Sequence, residues 1–216
     1  YVEDVNFQTA GSPSTYTNSF AVASVDNDGA VGPSLQVGGS SFGYGDGTGE
    51  TGPGWNNPMA TLDTTGEGTQ YDYVFLNSIG LEEDYAGIDV TGKIVFVSRG
   101  ETNFADKANV AVDMGAIATV VYNNEPGTIN MILTGYYEEA PCVLITQASG
   151  NIVREHSTAA TTDRGVTYYT GKVTVESKVK ANIANSDYYH MSSFSSWGVP
   201  GDLSMKPEII APGGNI

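Results

Sequence analysis

The chain has 216 residues, of which 40% are apolar, so it can bury a substantial core and global disorder is excluded. Nine basic residues stand against 25 acidic ones, giving a net charge of −16 that would repel phosphate groups. We therefore expect no nucleic-acid partner. Because the sequence has no stretch of 18 apolar residues, we also expect no insertion into a membrane. The 27 glycines and 13 tyrosines indicate a β-rich body with long loops.

The cysteine content and the two chain ends add further limits. Cys142 is the only cysteine, so the chain has neither an intrachain disulfide nor a cysteine metal cluster. It adjoins a predicted buried strand, and we interpret it as an inert core thiol. Because the sequence begins at Tyr1 and stops at Ile216 directly after Pro-Gly-Gly, we expect it to be a piece of a longer protein.

The first third of the chain predicts strands separated by turns. An apolar run from Phe20 to Val25 indicates a buried strand, which Asp26-Asn27-Asp28-Gly29 ends with turn residues. Residues 38–58 are rich in glycine, serine, threonine and acidic residues. They predict either a long surface loop or a pair of short edge strands. Tyr73 to Leu76 indicates another short strand.

The middle of the chain predicts a strand, a helix and a second strand in close succession. Residues 93–98 (KIVFVS) are rich in β-branched residues, follow the turn Thr91-Gly92 and predict a strand. Thr102 or Asn103 is suited to begin a helix, and Gly115 to end it. Residues 118–122 (ATVVY) form the next strand. The succession predicts a right-handed βαβ crossover.

A third buried strand and a second helix follow. Val143 to Ile145 is the strand, and Thr146 caps a helix that continues through Ile152 and Val153. Residues 165–169 and 172–179 alternate between apolar and polar side chains. We interpret them as a β-hairpin that turns at Thr170-Gly171.

Three of these segments resemble a protease-associated (PA) domain, in their order and spacing, across about residues 60–160. They are Gly92 to Gly100 with Phe104, Lys107 and Ala108; Gly115-Ala116 with Val120 to Asn124; and Pro141 with Val143 to Thr146, Gly150 and Ile152. The resemblance implies an α+β fold, a mixed-strand core with two short helices.

Both ends of the chain resemble the catalytic domain of subtilisin-like serine proteases, the subtilases. Residues 194–198 (FSSWG) and 203–214 (LSMKPEIIAPGG) are similar to the subtilase segment that leads toward the nucleophile. Residues 12–14 and 20–26 are similar to the strand that follows the oxyanion-hole asparagine. The resemblance implies catalytic-domain flanks of an α/β sheet at residues 1–26 and 183–216, with a PA insert at residues 27–182 between them. The two flanks are expected to lie near each other.

The resemblance further implies that the parent protein is a secreted or cell-wall-attached bacterial serine endopeptidase of the cell-envelope proteinase (lactocepin) type. Such an enzyme cleaves peptide bonds with an Asp/His/Ser triad and needs no organic cofactor. Its PA domain would limit which protein or peptide substrates reach the catalytic domain. The motifs that carry the triad are missing from this sequence. We therefore assign no catalytic, cofactor-binding or metal-binding residue and expect the chain alone to be inactive.

Several residues imitate catalytic motifs. Residues 39–43 (GSSFG) match the G-x-S-x-G nucleophile elbow, but the glycine-rich sequence after them cannot hold the required helix, so we attribute the match to chance. His156 and His190 are the only candidate bases. Asp187 and several serines, at 192, 193, 195 and 196, lie close to His190. One short segment cannot place three side chains around one reacting atom, so we interpret both histidines as surface or hinge residues.

The acidic clusters offer oxygen atoms to a cation such as calcium, but without the spacing of a calcium loop. They are Asp26 with Asp28, Asp46, Glu50 and Glu82-Glu83-Asp84. We interpret them as solvated acidic loops, with calcium binding as the alternative. Arg99 follows a predicted strand, and we expect it to bond loop carbonyls or a nearby carboxylate rather than an anionic ligand.

A second interpretation of the chain is an autonomous peptide- or carbohydrate-binding module of a bacterial surface protein. Exposed aromatic rings would supply its stacking surfaces. The candidates are Tyr44, Trp55, Tyr71, Tyr73 and the pairs Tyr136-Tyr137, Tyr168-Tyr169 and Tyr188-Tyr189. The subtilase-like segment from Phe194 to Gly214 argues against this interpretation, since a free-standing module has no need of it.

Overall fold

A computed structural model gives the fold of this chain. It describes residues 16, 18–26, 29–47, 58–126, 131–136, 138–184, 191–192, 194–195 and 206–214. Two compact units are present. One comprises Tyr1–Ala30 together with Asp187–Ile216, and the other comprises Val31–Ser186. No described helix is long and apolar enough to cross a bilayer.

Strands dominate both units. They are β1 Val22–Asp26, β2 Gly29–Val37, β3 Ser40–Gly43, β4 Gly45–Asp46, β5 Thr69–Phe75, β6 Ile94–Ser98, β7 Ala118–Tyr122, β8 Cys142–Ile145, β9 Thr158–Thr161, β10 Thr167–Ala184 and β11 Ile209–Gly214. The α-helices are α1 Phe104–Asp113 and α2 Gln147–Glu155. Short 3-10 helices span Met59–Leu62 and Glu82–Tyr85.

In the unit formed by the two ends of the chain, β1 and β11 pair in parallel, with Val22 opposite Ile209 and Ser24 opposite Ala211. The pair is fixed at its beginning by the Glu208 carboxylate, which accepts a hydrogen bond from Ala21 N at 2.9 Å. Lys206 Nζ donates to Ser19 O at 2.7 Å and also to the Glu208 carboxylate. The terminal segments thus lie side by side, as adjacent strands of a parallel sheet do.

The larger unit contains one mixed sheet in the order β3-β2-β10-β5-β6-β7-β8-β4, and β9 pairs with β10 beside this path. β5, β6, β7 and β8 are parallel neighbours. The pairings of β10 with β5 and β9, of β2 with β3 and of β4 with β8 are antiparallel. This architecture is the predicted α+β fold with two helices.

The predicted strand–helix–strand succession is present as β6, α1 and β7. β6 and β7 are parallel neighbours with Ile94 opposite Ala118. Asn103 precedes the helix, and Gly115 follows it with φ of 96°, a backbone conformation that glycine adopts at little cost. The second predicted cap is also present, because Thr146 Oγ1 accepts a hydrogen bond from Ser149 N at 3.1 Å.

The sheet is covered on both faces. Successive residues of β6 point to opposite faces. Val95 and Val97 therefore pack with Ala108 and Ala111 of α1, while Ile94 and Phe96 pack with Val153 of α2. All these residues are fully buried. Because both faces are covered, β6 needs the continuous apolar run that the sequence shows.

The predicted hairpin at Thr170-Gly171 is wrong, because β10 runs without a break through both residues. Gly171 pairs with Tyr73 of β5, and a Cβ atom at residue 171 would lie 2.5 Å from Tyr73 Oη. The glycine thus accommodates an aromatic ring rather than a turn. The hairpin of this region joins β9 to β10 instead, where Thr162 N donates to Val166 O at 2.9 Å.

The described part of the glycine-rich region beginning at Gly38 forms a pair of short edge strands, which was the second of the two predicted alternatives. Residues 40–46 form β3 and β4, the two edge strands of the sheet path, and Phe42 is buried. Gly38 and Gly39 connect β2 to β3 with φ of 59° and 87°. Two positive φ values in succession are what a two-residue hairpin turn requires.

Candidate functional site

The G-x-S-x-G match lies in the β2–β3 hairpin. Ser41 is on β3, and its Oγ is 3.5 Å from Gln36 Nε2 on the neighbouring strand. β3 is followed by β4 and not by a helix. Ser41 therefore lacks the strand–turn–helix setting of a nucleophile elbow.

His156, one of the two candidate bases, is an exposed residue at the end of α2. Its Nδ1 lies 2.9 Å from Ile152 O, and its ring fills the space beside Gly38, where a Cβ would be 2.0 Å from the ring. The histidine thus packs against the β2–β3 turn. His190 and Asp187 lie outside the described residues.

Two of the serines near His190 hold the terminal unit together. Ser192 Oγ is 2.9 Å from Ser24 Oγ, and Ser195 Oγ accepts a hydrogen bond from Ser24 N at 2.9 Å. Both therefore bond β1.

Two of the described acidic candidates accept hydrogen bonds from backbone N–H groups of neighbouring segments. Asp46 Oδ1 accepts a hydrogen bond from Met59 N at 3.1 Å, and Asp84 Oδ2 accepts from Gly80 N and Leu81 N at 3.1 and 2.8 Å. Glu82 and Glu83 are exposed, and Asp28 and Glu50 are outside the described residues. No group of three or more metal-ligating side chains is brought together in the described part of the chain.

Arg99 and Cys142 both have structural surroundings. Arg99 Nη1 donates to Asn123 Oδ1 at 3.2 Å, so its side-chain partner is an amide oxygen and not the loop carbonyl or carboxylate that was predicted. Cys142 is fully buried, and burial raises the pKa of its thiol to about 12. A thiol with so high a pKa is protonated at neutral pH and is a poor nucleophile, as the sequence interpretation required.

The aromatic residues proposed as stacking surfaces mostly belong to the core. Tyr73 and Tyr136 are buried, and Tyr71 Oη donates to Leu62 O at 2.6 Å. Tyr44 has a buried hydroxyl, and burial raises its pKa. Residues 55, 137, 188 and 189 are outside the described part. A binding face built from these rings is therefore not supported.

Sequence reasoning missed an arginine–aromatic group on the α2 face of the sheet. The Arg154 guanidinium carbon lies 3.2 Å from the centroid of the Tyr169 ring. Tyr169 contacts Phe75 edge to face at 6.4 Å, and Phe75 stacks on Tyr122 at 4.7 Å. No described carboxylate forms an ion pair with Arg154, whereas Lys93, Lys172, Lys178 and Lys206 each have one.

Sequence reasoning also missed Asp63, which organises the loop before β5. Its Oδ1 accepts hydrogen bonds from Gly66 N and Gly68 N, at 3.0 and 3.1 Å. Its Oδ2 accepts from the Ser177 backbone and hydroxyl, at 3.0 and 2.7 Å. The bonds from Ser177, and then those from the loop, hold the pKa of the Asp63 carboxyl well below its ordinary value.

Lys107, which the sequence analysis named only as part of the PA resemblance, is a buried lysine on α1. Its Nζ donates to Ile79 O at 2.7 Å, and burial lowers its pKa to about 8, against the opposing effects of Asp84 and Asp106. The Lys107 ammonium and the Asp84 carboxylate thus both bond the backbone of the loop that follows β5.

Comparisons with known proteins agree with this architecture. Residues 60–153 match the PA domain family. The chain is 30% identical to C5a peptidase of Streptococcus pyogenes over 146 residues, 68% of its length, and 29% identical to PI-type proteinase of Lactococcus lactis subsp. cremoris over 97% of its length. It covers only 11% and 10% of those proteins. Both resemblances inferred from the sequence, to PA domains and to subtilisin-like proteinases, are confirmed.

The fold also has a counterpart among solved structures. BSAP, a zinc aminopeptidase from Bacillus subtilis, superposes with a TM-score of 0.50 at 21% identity, over 76% of this chain and 33% of that one. At this identity the likeness concerns the fold alone. The family match, together with the relation to the streptococcal and lactococcal proteins, identifies residues 60–153 of this chain as a PA domain.

Proposed function

We propose that this chain is the PA-domain part of a subtilisin-like serine endopeptidase of the bacterial cell surface. In this proposal the PA domain selects protein substrates and takes no part in bond cleavage. The remaining catalytic domain supplies the triad, and the isolated chain is inactive. The role needs no cofactor, because selection rests on steric exclusion and on contacts away from the scissile bond.

The observation that carries the proposal is positional. The larger unit, Val31–Ser186, lies in sequence between β1 and β11, which pair in parallel. The match to the lactococcal proteinase extends over 97% of the chain, so it reaches beyond the PA domain into the terminal segments on both sides. An insert of this kind is tolerated where its two ends are close in space. This order along the chain supports an insertion of the PA domain into the sequence of the catalytic domain.

Charge supports a role in selection. The chain carries a net charge of −16, and described acidic residues such as Glu82, Glu83 and Asp163 are exposed. A surface of this kind raises the encounter rate of basic substrates and lowers that of acidic ones, and salt weakens both effects.

The test is excision of the PA unit from the full-length enzyme, replacing residues 31–186 with a short glycine–serine linker. Cleavage of a small chromogenic peptide should be almost unchanged, and this activity is the internal control for an intact catalytic domain. Cleavage of intact proteins should change in rate or in pattern, through kcat/KM. Equal loss of activity on both classes of substrate would mean that the PA unit supports the catalytic geometry, and the proposal would be wrong.

A smaller deletion within the glycine-rich region needs care. Residues 40–46 form β3 and β4, and Phe42 is part of the core, so a deletion starting at residue 40 would damage the sheet. A deletion limited to residues 48–57 avoids these strands.

A further inference from the structure

β9 is a free edge strand of the larger unit. Within the described part of the chain it pairs with β10 alone, through Thr158 opposite Thr170 and Thr161 opposite Thr167. Its four residues, Thr158-Ala159-Ala160-Thr161, carry no charge and no proline, and three of them are exposed. Proteins usually protect an edge strand by keeping it very short or by giving it a lysine, a proline or a bulge, because unpaired backbone groups invite another strand. β9 is short, with four residues, but it has neither a lysine nor a proline.

The hydrogen-bonding pattern shows which backbone groups of β9 point outward. Leu76 N donates to Phe96 O of β6, so the neighbouring residue Phe75 directs its backbone groups toward β10. Tyr169, opposite Phe75, therefore points toward β5, and Tyr168 and Thr170 point toward β9.

The same alternation continues into β9. Thr158 and Ala160 bond β10, which leaves the N–H and C=O groups of Ala159 and Thr161 directed away from the sheet. The bond from Thr162 N to Val166 O at the hairpin turn gives the same alternation independently. Outward groups on alternate residues are what an added strand bonds.

A cationic group lies beside this edge. Tyr169 is directly opposite Ala159, so the two side chains share a face of the sheet. That face is the one covered by α2, and Arg154 of α2 lies on the Tyr169 ring without an ion-pair partner among the described carboxylates. Ala159 is small and exposed, so it leaves the space between the guanidinium and the edge open. An acidic side chain on an added strand opposite Ala159 would face Arg154.

We propose that β9 is a docking strand for an extended, acidic polypeptide segment, which adds to the sheet beside Ala159 and Thr161 and pairs a carboxylate with Arg154. The choice of partner rests on the proposed function, because the segment that would occupy β9 belongs to a protein substrate. A net charge of −16 disfavours acidic partners in general, so this site would select among them by local geometry.

The experiment titrates a capped, fluorescently labelled peptide of sequence GTVEVTG into the 216-residue chain and follows anisotropy. The probe places glutamate and threonine on one face and valine on the other. A matched peptide carries glutamine in place of glutamate, and a third is N-methylated at all five residues between its glycines, so that neither of its edges can pair along the backbone.

Ala159→Pro is the informative variant, with Ala159→Val as its control. The Ala159 N–H points outward, so proline removes a group that the added strand needs without removing a bond to β10. We expect binding to the Pro variant to be about tenfold weaker than to the Val variant, the effect of losing one hydrogen bond. Arg154→Gln should weaken binding of the glutamate peptide about threefold to tenfold and leave the glutamine peptide unaffected.

Three results would overturn the proposal: equal binding to the Pro and Val variants, undiminished binding of the N-methylated peptide, or Arg154→Gln acting equally on both peptides. The N-methylated peptide decides the matter even if the Pro variant does not fold. Sedimentation tests another occupant, because a dimer that Ala159→Pro dissociates would mean that a second copy covers β9. Failure here is distinguishable from failure of the proposed function, since no proteolysis is measured.

Discussion

Replacing Gly171 with alanine tests whether this glycine accommodates Tyr73, as the structure has it, or forms a turn. A Cβ at residue 171 would lie 2.5, 2.6 and 2.8 Å from Oη, Cζ and Cε1 of Tyr73. The ring cannot swing aside, because Tyr73 is 1% exposed and packs edge to face on Phe96 with the centroids 5.2 Å apart. Its hydroxyl also bonds Ser157 Oγ at 2.8 Å.

Displacing the Tyr73 ring should cost about 1–3 kcal/mol for overpacking and about 1 kcal/mol for the hydrogen bond, so the free energy of unfolding should fall by roughly 2–4 kcal/mol. Urea unfolding followed by tyrosine fluorescence and circular dichroism measures this change. Gly32→Ala is the matched control, since Gly32 is also in a strand but has open space around its Cβ position. It should be neutral or slightly stabilising. If both variants lost the same stability, the close approach of Tyr73 would not explain the glycine.

Two further predictions concern pH. The pKa of Asp63 is lowered on folding, so its contribution to stability is present above the ordinary carboxyl pKa of about 4 and is lost as pH falls below it. Asp63→Asn should therefore reduce the pH dependence of the urea midpoint in this acidic range. The pKa of Lys107 is lowered to about 8, so between this value and its unfolded value near 10.4 the unfolded chain binds more protons and stability should rise with pH. Lys107→Met should abolish that rise, and an unchanged pH profile in either variant would contradict the corresponding assignment.

The parallel part of the sheet was predictable because its signals are local. The run KIVFVS is rich in β-branched residues and places apolar side chains on both faces, as a strand covered by two helices must. Gly115 marks the end of α1, and Thr146 caps α2 with a bond to a residue three positions away. Each of these features depends on neighbours within one turn or strand, and the sequence displays them directly.

The features that sequence reasoning missed depend on distant partners. Asp63 receives its strongest hydrogen bonds from Ser177, which is 114 residues away. Arg154 lies on Tyr169 because α2 covers the face of the sheet on which the Tyr169 side chain of β10 lies. Gly171 looked like a turn because glycine serves both in turns and in close contacts, and only the pairing with Tyr73 distinguishes the two uses. In each case, predicting the contact would have required knowing the order of the strands in the sheet.

The length of β10 has a consequence for how the protein is made. This 18-residue strand contacts β2, β5 and β9, so it joins the β2–β3 hairpin to the parallel strands. It is also the last strand of its unit to be synthesised. Until residue 184 has left the ribosome or the export channel, the earlier strands lack the partner that unites them. Such late, long-range pairing slows folding and leaves strand edges exposed in the meantime. We expect the nascent chain to depend on a chaperone for that interval.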